Sequence, residues 1–270
     1  MRIATLGPEG TFSNLAVLNY DKTAKAEIIF ERTVWDVFEA VDSGKADKGI
    51  VPIENSVSGT LGTTLDSLME FDLNIIDELI LPIKHNLAGS GTIKDIKIIY
   101  AHPQTYSQCE KFLRKNLPNV QIKETISNAK SAMSVSKQDK SKSAITSEIA
   151  SKLYGLRIIK SNIQDNKFNV TRFIVVAKES TKKTARDRTS IAIYPQVDRP
   201  GLLYELLGEF AKRKINLTKI ESRPSKGKLG DYVFFIDLQG HKDEKKIKDA
   251  FHMIEKSSFL KVLGSYPRKY

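Results

Sequence analysis

Short apolar runs of β type alternate with amphipathic stretches over the first 180 residues. That alternation restricts the chain to a largely parallel sheet covered by helices on both faces. Strands are predicted at 2–6, 27–30, 48–53, 96–100, 120–124 and 143–145, with helices at 13–20, 33–43, 60–70, 103–116, 127–137 and 147–154. Ser13, Thr33 and Thr60 each offer a hydroxyl to the unpaired N–H groups of a first helical turn. The pattern is written twice around an interruption at 73–91, and a strand at 171–177 returns the chain. Two α/β lobes facing a cleft follow from that order. Such clefts, at strand C-termini and helix N-termini, are where α/β folds bind anions.

After residue 177 the composition changes. Residues 178–188, KESTKKTARDR, are polar, charged and without apolar period, the character of a linker. Beyond them the order is strand 189–194, helix 201–212, strand 216–223, strand 232–238, helix 243–256 and strand 259–265. This β-α-β-β-α-β order is the ferredoxin-like arrangement. Two domains are therefore expected, at 1–180 and 186–270, the first with lobes at about 1–75 with 160–180, and 80–158.

The formal charge of +11 raises the possibility of a phosphate-rich partner. Its distribution argues otherwise: residues 1–180 carry 23 Lys and Arg against 21 Asp and Glu, and residues 181–270 carry 20 against 11. The basic tail lacks the interleaved aromatics on which nucleic-acid bases stack, so its charge reads as a solvated face and no nucleic-acid partner is expected. No apolar run approaches the ~18 residues of a membrane span, and the start MRIATLGPEGTFS lacks the pattern of a signal peptide. The expectation is a cytoplasmic protein with no membrane partner. The single Cys109 can form neither an intramolecular disulfide nor a cysteine-based zinc site, as a reducing compartment would have it. His85, His102, His241 and His252 are too scattered to suggest a metal cluster.

Four segments at strand ends are unusually polar. Gly7-Pro8-Glu9-Gly10-Thr11-Phe12-Ser13 opens a helix with two glycines and two hydroxyls, an anion cradle or an ordinary capped turn. It is neither a P-loop nor a dinucleotide turn, so no nucleotide is implied. Val51-Pro52-Ile53-Glu54-Asn55-Ser56-Val57-Ser58-Gly59-Thr60 packs a carboxylate, an amide and hydroxyls together. Ala101-His102-Pro103-Gln104 is followed one turn on by Gln108 and Cys109, the latter read as helical, buried and inert. Asn166-Lys167-Phe168-Asn169-Val170-Thr171-Arg172-Phe173 enters the returning strand, where alternation points Thr171 and Phe173 one way and Arg172 the other.

GPEGTFS, VPIENSVSGT, HPQ with its downstream Gln-Cys, and NVTRF, in this order and spacing, resemble the catalytic domain of the prephenate dehydratase family. The tail resembles the ACT regulatory domain of the same enzymes, with Glu221-Ser222-Arg223-Pro224 matching their phenylalanine-sensing ESRP motif. The resemblance covers nearly the whole chain. It implies a two-lobed, periplasmic-binding-protein-like α/β catalytic domain followed by a ferredoxin-like ACT domain. It implies conversion of prephenate to phenylpyruvate in L-phenylalanine biosynthesis, with L-phenylalanine as allosteric effector. Carbon dioxide and hydroxide leave together as the ring becomes aromatic. Aromatisation drives the reaction, so a site of hydroxyls and amides suffices, with no metal and no cofactor expected.

By that resemblance Thr171 donates a hydrogen bond or proton to the leaving hydroxyl, and needs a relay or strong preorganisation to do so. Asn55 and Gln108 bind substrate by hydrogen bonds, and Glu54 orients the catalytic set. Thr11 and Ser13 join a carboxylate cradle, with Ser56, Gly59, Thr60 and Phe173 among the substrate-binding positions. Arg172 serves charge complementarity or loop anchoring. Ala101 stands where many relatives have Ser, so one hydroxyl of the family set is missing. The effector site would involve Gly201, Leu202, Leu203, Glu221, Ser222, Arg223 and Pro224. Leu202 replaces a family Ala, and Arg223 either contacts the effector or closes a turn. ACT domains pair across subunits, so a homodimer or homotetramer is implied. Arogenate dehydratase and a non-catalytic sensor of the same fold remain alternatives.

Overall fold

The computed structural model describes residues 1–135, 139–197, 199–225 and 231–270. The chain begins with β1 (Arg2–Leu6), α1 (Phe12–Tyr20), β2 (Glu27–Glu31), α2 (Val34–Asp42) and β3 (Lys48–Asn55). A short β4 (Gly59–Thr60) folds back on β3, pairing Glu54 with Thr60 and Asn55 with Gly59, before α3 (Gly62–Glu70). Gly59 makes that return at φ +80, a conformation that favours glycine. There follow β5 (Asn74–Pro82), β6 (Asn86–Gly89), β7 (Ile98–Ala101), α4 (Pro103–Ser107), α5 (Glu110–Asn116) and β8 (Gln121–Glu124). Then come α6 (Asn128–Met133), β9 (Lys142–Thr146), α7 (Glu148–Leu153), β10 (Arg157–Lys160) and β11 (Val170–Ala177).

These strands make two sheets, one ordered β2-β1-β3-β11-β5 with β4 on β3, the other β10-β6-β9-β7-β8. This is the two-lobed α/β arrangement expected. β1 pairs parallel with β2, and β7 with both β8 and β9. β6 pairs antiparallel with β9 and β10. The apolar run of β3 is buried without alternation, as in a strand covered on both faces. Residues 73–91, which read as an interruption, hold β5 and β6 in different sheets, so residues 83–85 cross between the lobes. Residues 161–169 cross back from β10 to β11.

Three local expectations are corrected. Helix α1 is capped by Thr11, whose Oγ1 accepts from the Asn14 N–H at 3.2 Å, while Asn14 Oδ1 accepts from the Gly10 N–H at 3.1 Å. Ser13 lies inside the first turn. Helix α3 starts after Leu61 without a side-chain cap, because Thr60 is engaged in β4. The helix predicted over 103–116 is two helices. The Gln108 carbonyl accepts from the Asp165 N–H at 2.7 Å, and Asp165 Oδ2 accepts from the Lys111 N–H at 3.1 Å, so the returning crossing takes over bonds a continuous helix would use. Thr33 does cap α2, in a reciprocal pair with Asp36. Residues 136 and 137 of the predicted helix 127–137 lie outside the described residues.

The chain clusters into two compact units: Met1–Val37 with Ile50–Thr60 and Ile80–Phe173, and Phe38–Gly49 with Leu61–Leu79 and Ile174–Tyr270. The second unit carries β12 (Asp187–Pro195), α8 (Leu202–Lys212), β13 (Leu217–Pro224), β14 (Tyr232–Gln239), α9 (Lys245–Glu255) and β15 (Ser258–Pro267). Its antiparallel sheet runs β13-β14-β12-β15, the ferredoxin-like order. Ile191, Leu206, Phe210, Leu238, Ile247 and Phe251 form its core between sheet and helices. Within this unit Arg188, 1% exposed, pairs with Glu78, 0% exposed, at 2.7 Å, and stacks on the Tyr270 ring. No helix among the described residues is long and apolar enough to cross a membrane.

Candidate active site

The end of β3 and the start of β11 are stitched together by Ser56. Its N–H donates to the Val170 carbonyl at 2.9 Å, and its Oγ donates to the Phe168 carbonyl at 2.8 Å and accepts from the Val170 N–H at 3.0 Å. The Ser56 hydroxyl is thus committed to holding two segments in register. That register brings Asn55 against Thr171 across 116 residues of sequence.

Asn55 Oδ1 accepts from the N–H groups of Val57 and Ser58 at 3.0 and 2.9 Å. Backbone N–H groups can only donate, so the other end of this amide must be the NH2. That NH2 donates to Asn169 Oδ1 at 2.7 Å, to the Val170 carbonyl at 3.1 Å and to Thr171 Oγ1 at 2.9 Å. With its oxygen facing Asn55, Asn169 must turn its own NH2 outward, and this donates to Gln108 Oε1 at 2.9 Å. Gln108 in turn directs its NH2 to Ser58 Oγ at 3.0 Å. Two backbone N–H groups therefore set the polarity of three consecutive side-chain amides. Thr171, which accepts from Asn55, keeps its own hydrogen to donate elsewhere.

Beside this chain lies a cavity of about 240 Å³ lined by Val57, Ser58, Gln108, Asp165, Asn166 and Asn169. Thr171 is 7% exposed. Arg172, the next residue along β11, is buried and meets Glu54 through Nε at 2.7 Å. Strand alternation puts the Glu54–Arg172 pair and the Asn55–Thr171 pair on opposite sides of their strands. Of the two readings of Arg172, this pairing supports the anchoring one. Phe173 is buried in β11, and Gly59 and Thr60 lie in the turn onto β3.

Thr11 is occupied as a cap, and its Oγ1 also donates to the Leu6 carbonyl at 3.0 Å. Ser13 is buried in the first turn of α1. The same loop is held from the other lobe, where Ser147 Oγ donates to the Gly10 carbonyl at 2.9 Å. Ala101 is fully buried in β7, and burial lowers the pKa of the nearby His102. Cys109 is fully buried, and desolvation pushes its thiol up to about 12. Among the described residues no group of three His, Cys, Asp or Glu could hold a metal ion.

In the second unit Gly201 precedes α8 at φ +83, and among the described residues beyond its chain neighbours no atom lies within 4 Å of where a Cβ would stand. Leu202 is buried, Leu203 is half-buried, and Glu221, Ser222, Arg223 and Pro224 follow one another along β13. The Arg223 guanidinium pairs with Asp66 of α3 at 3.3 Å and lies against Gly62, where a Cβ would collide with it.

The sequence reading overlooked Ser58, Asn169 and His85 as members of the amide network. Ser58 and Asn169 stand inside motifs already singled out, and only their partners separate them from neighbours of the same type. His85 carried no local signal.

The prephenate dehydratase family profile matches residues 3–181, and an ACT-domain profile matches 196–254. A bifunctional chorismate mutase/prephenate dehydratase of Aquifex aeolicus is 44% identical over 99% of this chain and 74% of its own length. A prephenate dehydratase of Methanocaldococcus jannaschii is 39% identical over 96% of each chain. A crystal structure of prephenate dehydratase from Arthrobacter aurescens, in complex with L-Phe, superposes with a TM-score of 0.92 at 35% identity, covering 99% of this chain and 90% of that one.

Proposed function

The chain belongs to the prephenate dehydratase family, and from that premise we propose how its residues carry out the decarboxylative dehydration of prephenate to phenylpyruvate. The catalytic part corresponds to residues 1–180 and the ACT regulatory part to 186–270, a division supported by the two profile matches.

Thr171 acts on the leaving hydroxyl. The bond from ring to carboxylate breaks and its electron pair enters the ring. The ring C–O bond breaks, the departing oxygen takes a hydrogen from Thr171 Oγ1 to leave as water, and Oγ1 regains a proton from solvent to close the turnover. A threonine hydroxyl is a weak acid, so negative charge growing on Oγ1 needs a partner. The observation that carries the reading is the Asn55 NH2, aimed at Thr171 Oγ1 at 2.9 Å by the Val57 and Ser58 N–H groups. A preorganised donor of this kind favours the charge-developing state and needs no rearrangement as the reaction proceeds.

Gln108 presents its NH2 beside Ser58 at the cavity wall, fit to bind a substrate oxygen. Glu54 and Arg172 act from beneath by fixing β3 against β11. Thr11 and Ser13 at the start of α1, Gly59 and Thr60 in the turn onto β3, and Phe173 in β11 frame the site, with Ser56 stitching β3 to β11. L-phenylalanine acts as effector through Gly201, Leu202, Leu203 and the Glu221–Pro224 segment, in a homodimer or homotetramer whose ACT domains pair.

The test is turnover of prephenate by purified protein without added cofactor. Thr171→Ala should lower kcat by about 10²–10⁴, the scale of a general acid, with Tm close to wild type, and Thr171→Ser should retain part of the rate. Wild-type protein no faster than the uncatalysed conversion overturns the reading. Arogenate assayed in parallel measures substrate preference.

A further inference from the structure

His85 lies on the first crossing between the lobes and is 2% exposed. Its backbone is tied to the second crossing: the Ile163 N–H donates to the His85 carbonyl at 2.9 Å, and the His85 N–H donates to Gln164 Oε1 at 3.0 Å. Its ring meets Phe12 edge-on, with centroids 5.7 Å apart at 73°. Its Nε2 lies 2.8 Å from Gln108 Oε1.

The polarity set at Asn55 runs through Asn169 to Gln108 and places an oxygen in front of His85. Two lone pairs cannot face one another there, so Nε2 must carry the hydrogen. Nδ1 is then a lone pair, buried and, among the described residues, without a hydrogen-bond partner. Burial also holds the imidazole pKa below its ordinary value, against a smaller opposing effect of the Gln108 bond. A buried polar atom left unpartnered needs a compensating reason. An apolar side chain at this position would avoid the penalty but would give up the second donor to Gln108 Oε1.

Resting on the function proposed above, we propose that His85 is a positioning residue for the reaction: its Nε2–H and the Asn169 NH2 together saturate Gln108 Oε1 and lock the Gln108 NH2 toward the cavity. Without His85 the Gln108 amide keeps one of its two anchors and samples other orientations. Substrate then meets a donor that is absent part of the time.

A double-mutant cycle tests this, because a residue acting through Gln108 loses its effect when Gln108 is gone. His85→Phe should lower kcat/KM for prephenate about tenfold, the scale of one buried hydrogen bond. His85→Gln, whose amide nitrogen falls near the imidazole Nε2, should return to within about threefold of wild type. In a Gln108→Ala background, His85→Phe should cost less than about twofold further. Equal impairment of His85→Phe and His85→Gln, or an undiminished effect in the Gln108→Ala background, overturns the role. A measurement that needs no variant is the nitrogen NMR of the wild-type imidazole. A neutral ring with Nε2 protonated supports the role, and the Nδ1–H tautomer overturns it. Wild-type turnover is recorded in the same series. Its absence overturns the proposed function, whereas normal turnover without coupling overturns only the role of His85.

Discussion

Replacing Asn55 by Asp reverses one end of the amide chain at almost no change in volume. In the wild type Oδ1 receives the Val57 and Ser58 N–H groups, and the NH2 faces Asn169 Oδ1 at 2.7 Å, the Val170 carbonyl at 3.1 Å and Thr171 Oγ1 at 2.9 Å. Aspartate keeps the first oxygen and sets a second, charged one against those three. The Thr171 hydrogen turns toward the carboxylate, and a hydrogen bond to a charged acceptor is worth about 1.5–3 kcal/mol. Breaking it before the hydroxyl can serve the leaving oxygen costs about ten- to a hundredfold in rate. The donor aimed at Oγ1 is lost as well, which by itself costs about 10²–10³. Together kcat should fall by about 10³ or more at neutral pH. Initial rates of phenylpyruvate formation, with an enzyme-free blank subtracted, measure this. An Asn55→Asp rate within about threefold of wild type at neutral pH refutes the assigned polarity.

Two further predictions concern stability and reactivity. Arg188→Ala leaves the fully buried Glu78 without its guanidinium, which should cost about 3–5 kcal/mol and lower Tm by about 10 °C, while a double variant Glu78→Leu/Arg188→Met should recover most of the loss by thermal melting; a double variant as unstable as the single one contradicts the account. Cys109, fully buried with its thiol pushed up to about 12, should resist iodoacetamide in the native protein at about pH 8 and react on unfolding; rapid native labelling would mean that the segment between α4 and α5 opens readily.

The β-α-β-β-α-β order of the C-terminal part was legible because strand alternation, helical period and caps act within a few residues of one another. The same holds for the alternation before it and for the Thr33 cap. Even so, Thr11 rather than Ser13 caps α1, a choice made by which residue leaves the helix for the Leu6 carbonyl. Asn55, Gln108 and Thr171 stood out as polar residues at strand ends, but their types say nothing of direction. Direction came from the meeting of β3 with β11, which are separated by more than a hundred residues in the chain and joined by Ser56. The break after Ser107 had no punctuating Gly or Pro, since it is made by Asp165 from the returning crossing.

By itself the sequence determined the elements, the likeness of its motifs to one family and the residue types able to assist loss of a hydroxyl. Tertiary structure alone decided that Arg172 pairs with Glu54, that Ser56 is a stitch, and that Asn169 and His85 belong to the network. The physical reason is range: propensity and capping are set by neighbours in the chain. The orientation of a buried amide is set by whichever donor or acceptor the fold brings within about 3 Å, however distant in sequence.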